Sequence, residues 1–324
     1  MLAFGPVPSR RLGRSLGINN IPPKTCSYSC VYCQLGRTSQ LIANRQAFYE
    51  PKEIFKEVRR KVDEAISKNE NIDYLTFVPD GEPTLDINLG EEISLLRQIG
   101  IPIAVLTNAS LLWREDVKED LLEADLVSLK VDAVNQDLWT KINRPHKSLS
   151  LNKILDGLVS FAETFEGTII SETMLIDKIE YDDELREIAV FLEELDRLKK
   201  AYIAVPTRPP TEGWVKPAKE EIVNFAYQIF SERLGAEKVE YLIGYEGNAF
   251  AFVGNVREAL LDITAVHPMR KEAVEKFLER ANAEWRVVEE LLHEDLLVEL
   301  EYEGKLYYMR KLPSRIRSAG RQQN

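Results

Sequence analysis

Every cysteine of the chain falls within eight residues: Cys26, Cys30 and Cys33, spaced C-x3-C-x2-C. Three thiolates on one loop can serve one soft metal centre. The count is odd, so a disulfide framework would strand one thiol. It is also one short of the four that close a tetrahedral zinc site or complete a four-cysteine iron–sulfur cluster. A cluster held by three cysteines leaves one iron open to a substrate or cofactor. The competing reading is a zinc knuckle with a distant fourth ligand. Only His146, His267 and His293 exist, and none stands at zinc-finger spacing.

The rest of the chain must position that loop. Its 324 residues are long enough for one large domain with an appendage, or for two domains. Apolar strands alternate with amphipathic helices: strands at Ser15–Asn19, Tyr74–Val78, Ile101–Leu106, Asp125–Val131, Thr168–Leu175 and Ala201–Val205, each followed by a helix. Residues 1–14, rich in proline and glycine, read as a loop. Alternation of this kind implies parallel pairing through right-handed crossovers. Six units predict an α/β fold, a partial (β/α)6 TIM-like barrel over residues 1–245. The pattern changes at Asn255. Three helices and a hairpin around Glu303-Gly304 predict a small winged-helix-like domain at 250–313, and 314–324 reads as a basic, disordered tail.

In such barrels chemistry sits at the C-terminal ends of the strands. After the second strand comes Pro79-Asp80-Gly81-Glu82-Pro83-Thr84, a tight turn whose backbone can approach a ligand closely. After the third comes Thr107-Asn108-Ala109-Ser110, short polar groups that either cap the next helix or bind ligand. Along the fourth, alternation puts Ser128, Lys130 and Asp132 on one face. A lysine facing a barrel interior must be paired or solvated. After the sixth, Arg208 stands among Pro206, Pro209 and Pro210 with Trp214 nearby, which suits a planar or anionic group.

The cysteine loop, with aromatic Tyr32 just before Cys33, resembles that of the radical S-adenosylmethionine (radical SAM) superfamily. The resemblance implies a [4Fe–4S] cluster on Cys26, Cys30 and Cys33, with SAM on the open iron. It implies an enzyme that cleaves SAM reductively to a 5′-deoxyadenosyl radical, which abstracts hydrogen from a substrate. It also implies an external low-potential electron donor. Gly81, Glu82 and Pro83 look like the family's G-G-E-P element, with Asp80 in place of the first Gly. By the same resemblance Tyr32, Thr107, Asn108, Ser128, Lys130 and Asp132 contact SAM, and Asn143-Arg144-Pro145 is similar to a family loop. Lys130 and Arg208 are the catalytic candidates. The P-S-R-R-x-G-x-S-L-G-I opening, the cysteine loop, the G-E-P-T turn and T-R-P-P together resemble wyosine-base-synthase-like Fe–S oxidoreductases. That implies a tRNA base as substrate. No cysteine remains for the second cluster of the tricyclic-base synthases, which separates this chain from that reaction.

Charge adds one expectation. Residues 1–49 carry Arg10, Arg11, Arg14, Lys24, Arg37 and Arg45 and no acid, against a net charge of −11 overall. A basic segment around the cluster loop would favour an anionic ligand. The third helix of the C-terminal region, Ala283 to Asp295, is acidic, which argues against DNA binding and leaves a peptide or protein as the alternative substrate. A non-catalytic metal-binding protein is the reading from a different class. No secretory leader and no long apolar run is seen, so no membrane contact and a cytoplasmic location are expected.

Overall fold

The structure is a computed structural model that describes residues 2–244, 250 and 255–311. The expected tail at 314–324 lies outside the described residues, as do the outer limits, 245 and 312–313, of the two expected domains.

One eight-stranded sheet organises the chain. Its strands are β1 (Ala3–Ser9), β2 (Gly13–Ile18), β5 (Tyr74–Phe77), β6 (Ile103–Thr107), β7 (Leu126–Lys130), β8 (Thr168–Met174), β9 (Leu198–Ala204) and β10 (Val239–Leu242), adjacent in that order. A two-residue ladder, β3 (Thr25–Cys26) with β4 (Gln40–Leu41), flanks the cysteine loop. β1 runs antiparallel to β2, and every later pairing is parallel. The parallel run therefore holds seven strands rather than the expected six. β10 is short and carries Glu240 in its middle, so its apolar signal is weak. The second correction is β1, expected as loop. Its glycine and prolines lie at an irregular edge, where the register shifts between Phe4 and Val7 and missing donors do least harm.

Strand alternation sorts the side chains. Leu16, Leu75, Ile103, Val127 and Ile203 point outward into the main core, under the helices. Leu126, Ile170, Tyr202, Ala204 and Leu242 point inward and pack around Leu12 from the β1–β2 turn. The sheet curls around this interior. Its two edges approach one another: Arg10, just beyond β1, donates to the carbonyls of Leu242 (2.6 Å) and Gly244 (2.7 Å) at the end of β10.

The outer layer is α1 (Pro51–Ser67), α2 (Leu89–Arg97), α3 (Glu115–Leu121), α4 (Gln136–Asn143), α5 (Leu151–Thr164), α6 (Asp182–Glu193) and α7 (Glu220–Leu234). α1 shows why these segments are helical. Pro51 occupies its first turn, and Ile54, Val58, Val62 and Ala65 recur every three or four residues and are buried. Each of the larger side chains so buried, Ile54, Val58 and Val62, contributes roughly 1.5–3 kcal/mol. α4, which had no bounds from sequence, starts at an Asn135 cap whose Oδ1 accepts from the amides of Asp137 (2.9 Å) and Leu138 (3.3 Å). Among the described residues no helix is long and apolar enough to cross a membrane.

The C-terminal region holds α8 (Val256–Val266), β11 (Met269–Arg270), α9 (Lys271–Arg280), α10 (Arg286–His293), β12 (Leu297–Tyr302) and β13 (Lys305–Arg310). The three strands form a small antiparallel sheet. This module is fastened to the barrel. Phe4 and Val7 of β1 belong to its core, beside Leu260, Ile263 and Phe277. Tyr302 and Tyr307 donate from their hydroxyls to the carbonyls of Pro206 (3.1 Å) and Thr207 (2.8 Å).

Candidate functional site

The cysteine loop sits beyond the C-terminal ends of the parallel strands and is held from three sides. On the first, residue 25 pairs with the turn after β5: Glu82 N donates to Thr25 O (3.1 Å) and Lys24 N to Asp80 O (2.7 Å). This approach needs glycine at position 81, because a Cβ there would stand 1.8 Å from Thr25 O. Asp80 is explained by the same contact. Its carboxylate pairs with Lys24 at 3.5 Å, and both are buried. On the second side, Ser29 N and Val31 N donate to the carbonyls of Asn143 (3.0 Å) and Ile142 (2.9 Å) at the end of α4, and His146 N donates to Ser27 O (2.8 Å). On the third, Thr211 Oγ1 donates to Cys33 O at 2.7 Å.

Glu82 is a brace. Its Oε1 accepts from Thr84 Oγ1 (2.7 Å), Thr84 N (3.0 Å) and Thr107 Oγ1 (2.6 Å), and its Oε2 from Asn108 N (2.7 Å). Burial pushes its carboxyl above the usual range, and these donors oppose the shift. The side chain thus locks the two loops expected to meet SAM, with Pro83 buried in the turn that follows.

Inside the barrel the polar stripe on β7 becomes a connected network. Lys130 Nζ lies 2.5 Å from Glu172 Oε1, 3.6 Å from Asp132 Oδ1 and 5.0 Å from the centre of the Tyr32 ring. Arg11 bonds Glu172 and, at 3.4 Å, Ser128 Oγ. Asp132 accepts from the Tyr32 hydroxyl, from Asn143 Nδ2 (2.7 Å) and from Met174 N (2.9 Å). Burial alone would lower the Lys130 pKa; Asp132 and Glu172 more than offset it, so the ammonium is held. Burial would raise Glu172, yet Lys130 and Arg11 bring it down to about 2. Sequence reasoning found Lys130 and Asp132 but missed Glu172. Alternation along β8 puts it on the inward face with Ile170, a signal that was there to use. Arg208 is placed apart from this group, bonding Gln34 Oε1 (2.6 Å) and His267 Nε2 (3.0 Å).

The basic segment turns out differently from its expectation. Arg11 pairs with Glu172, Arg14 with Glu70, Lys24 with Asp80, Arg37 with Glu212 and Arg45 with Asp116 and Asp120. Its surplus charge meets acids from later in the chain and stitches the segment down. Sequence spacing could not reveal this, because the partners lie dozens to more than a hundred residues away.

The thiols themselves are half-buried, with no disulfide among them. Burial pushes the Cys30 thiol up to about 12, with the Asp132 carboxylate adding to the shift, and pushes Cys26 well above its ordinary value. Such thiols stay protonated until a metal displaces the proton, which suits ligation and disfavours free thiolate chemistry. Two amides wait for the thiolates: Asn108 Nδ2 is 3.5 Å from Cys26 Sγ, and Asn143 Nδ2 is 3.5 Å from Cys30 Sγ. Among the described residues, no three His, Cys, Asp or Glu side chains gather on a single ion. A cubane cluster takes one thiolate per iron, so its three sulfurs stay apart. Three thiols of one loop, two of them with an amide beside the sulfur, fit an iron–sulfur cluster that leaves one iron open.

Comparison with known proteins agrees. The model of the radical SAM superfamily matches residues 20–192, over half of the chain. The chain belongs to the radical SAM superfamily. The UPF0026 protein MJ1312 of Methanocaldococcus jannaschii is 50% identical over 97% of this chain and 97% of its own length. A UPF0026 protein of Synechocystis is 37% identical over 68% of this chain and 78% of its own. A radical SAM methyltransferase from Sphaerobacter thermophilus shares the fold, with a TM-score of 0.52 at 16% identity over 70% of this chain and 66% of that one. In this radical SAM protein the Asn143 amide would tune a cluster held by Cys30. Removing a donor from a cysteine sulfur destabilises the reduced state. Asn143→Ala is expected to make the cluster potential more negative by about 20–60 mV, the equivalent of one hydrogen bond. An EPR-monitored redox titration that found no change would remove Asn143 from that role.

Proposed function

We propose that this radical SAM protein carries a [4Fe–4S] cluster on Cys26, Cys30 and Cys33 and cleaves SAM reductively. Cluster and SAM together supply, with one electron from an external low-potential donor, methionine and a 5′-deoxyadenosyl radical that takes a hydrogen atom from a substrate in the barrel. The observation that carries the reading is the placement of the three-cysteine loop against the Gly81 turn, at the C-terminal mouth of a curled parallel sheet.

The chain's own residues have assignable parts in this reading. Gly81, Glu82 and Pro83 present backbone for the SAM amino group. Thr107 and Asn108 are locked beside them by Glu82. Ser128, Lys130 and Asp132 line the interior, and Lys130 holds a cation there for the SAM carboxylate or a developing negative charge. Tyr32 bridges the loop to Asp132. The C-terminal module, whose order of helices and strands is that of a winged helix, acts as a cover for the barrel mouth. A reducing, cytoplasmic setting suits a cluster with an open iron.

The test is anaerobic. Protein reconstituted with iron and sulfide, reduced and given SAM is expected to yield 5′-deoxyadenosine; Cys30→Ala is expected to give none and to lose the SAM-dependent change in the cluster's EPR signal. A fully loaded wild-type cluster whose signal ignores SAM would sink the reading and favour the non-catalytic one.

A further inference from the structure

A cavity of about 150 Å³ opens inside the barrel, beside Gln34, the residue that follows Cys33. Its apolar wall includes Phe4, Leu106 and Val266, and its polar wall includes Arg10, Arg11, Gln34, Arg208 and His267. Among the described residues its lining holds no carboxylate. Val266 and His267 end α8, so the C-terminal module roofs the cavity. Gln34 Nε2 donates to Val266 O at 3.0 Å and closes the seam beside the cluster loop.

Arg11 decides the chemistry. Among the described residues both of its side-chain bonds, to Glu172 and to Ser128, run through Nη1. The Nε–Nη2 edge of the guanidinium is left for a ligand. That edge is the fork that grips a carboxylate or phosphate with two parallel hydrogen bonds. A guanidinium only donates, so this edge asks for an acceptor. Glu172 fixes the fork in place, and the apolar wall suits a short carbon body. A cavity of this volume takes a group of about six heavy atoms, the size of a benzene ring.

We propose that this cavity is the substrate site, and that it takes a small molecule bearing an oxyanion, gripped by the Nε–Nη2 edge of Arg11 under the roof formed by Val266 and His267. The proposal rests on the radical SAM reading above for its chemistry, though not for its binding. It names a small acid or phosphate ester in place of the tRNA base or peptide expected from sequence.

The experiment uses the full chain with its cluster, under anaerobic conditions. Inorganic phosphate and acetate are titrated separately by calorimetry, with chloride at matched ionic strength as control. Wild type is expected to bind one of them saturably: phosphate would point to a phosphate ester, acetate to a carboxylic acid. Arg11→Lys keeps the charge and loses the fork, and is expected to weaken binding about tenfold or more. Val266→Phe fills the cavity from the roof without touching a charge and is expected to abolish it. The SAM-dependent EPR change is read on the same samples. Its absence in wild type would be a failure of the radical reading, and the anion titration would still be decided on its own. No saturable binding of either anion by wild type, unchanged binding in Arg11→Lys, or thermal protection by tRNA alone would each overturn the proposal.

Discussion

Gly81→Ala is expected to cost about 3–5 kcal/mol, near the top of the range for single substitutions, and to abolish cluster loading. The added Cβ would lie 1.8 Å from Thr25 O and 2.7 Å from Ile21 Cδ1. The first of these is backbone and cannot rotate away. Relief requires the 24–25 segment to leave the turn, which breaks the bonds from Glu82 N to Thr25 O and from Lys24 N to Asp80 O. It also exposes the buried Lys24–Asp80 pair to separation. Cys26 follows Thr25 directly, so its thiol moves with the strand. Thermal unfolding and iron per chain after reconstitution measure the two effects. A variant with full iron and a melting midpoint close to wild type would show that the contact is not needed.

Lys130→Met is expected to be nearly as severe, for a different reason. It leaves the Asp132 carboxylate, fully buried, without its cation, and leaves Glu172 to Arg11 alone. Removing one partner of a buried pair costs roughly 3–5 kcal/mol. The effect has a pH signature. Glu172 is held at about 2, below its ordinary 4.5. A carboxylate with a lowered native pKa adds stability that is complete above 4.5 and is lost as pH falls towards 2. That contribution, about 3 kcal/mol for the whole shift, should shrink in Lys130→Met. Denaturant unfolding between pH 2 and pH 7 is expected to show the largest gap between the proteins at neutral pH and the smallest at the acid end. A constant gap across that range would mean that the ion pair is not what the lysine supplies.

Much of this arrangement was legible in the residues. Cys26, Cys30 and Cys33 announce their chemistry because spacing along a loop survives folding. The β7 stripe was legible because Ser128, Lys130 and Asp132 obey the period of two that any strand imposes. The outward core of β6 was legible as a nearly continuous apolar run, and that of β7 as the apolar residues Leu129 and Val127 alternating with the stripe. What escaped was set by distance in the chain. Glu172 becomes part of the site only when β8 lies beside β7. The acids that absorb the charge of residues 1–49 come from loops and helices far downstream. β1 was hidden by Gly5, Pro6 and Pro8, residues an edge strand tolerates and a central one does not. His267 gave no sign of its place because nothing local says which way a terminal module faces.

The stitching of the first 49 residues has a consequence for how the protein is made. A ribosome delivers the cysteine loop first. Asp80, Asp116, Asp132, Asn143, Glu172 and Glu212, which neutralise or brace it, follow over the next 180 residues or so, and the α8 residues that share a core with Phe4 and Val7 come later still. The emerging segment of residues 1–49 is therefore cationic and unshaped through most of synthesis. Contacts of such long sequence separation form late and slowly. If the loop takes the proposed cluster, iron delivered during translation would meet three loose thiols and no built site, so loading would have to wait for a nearly finished chain.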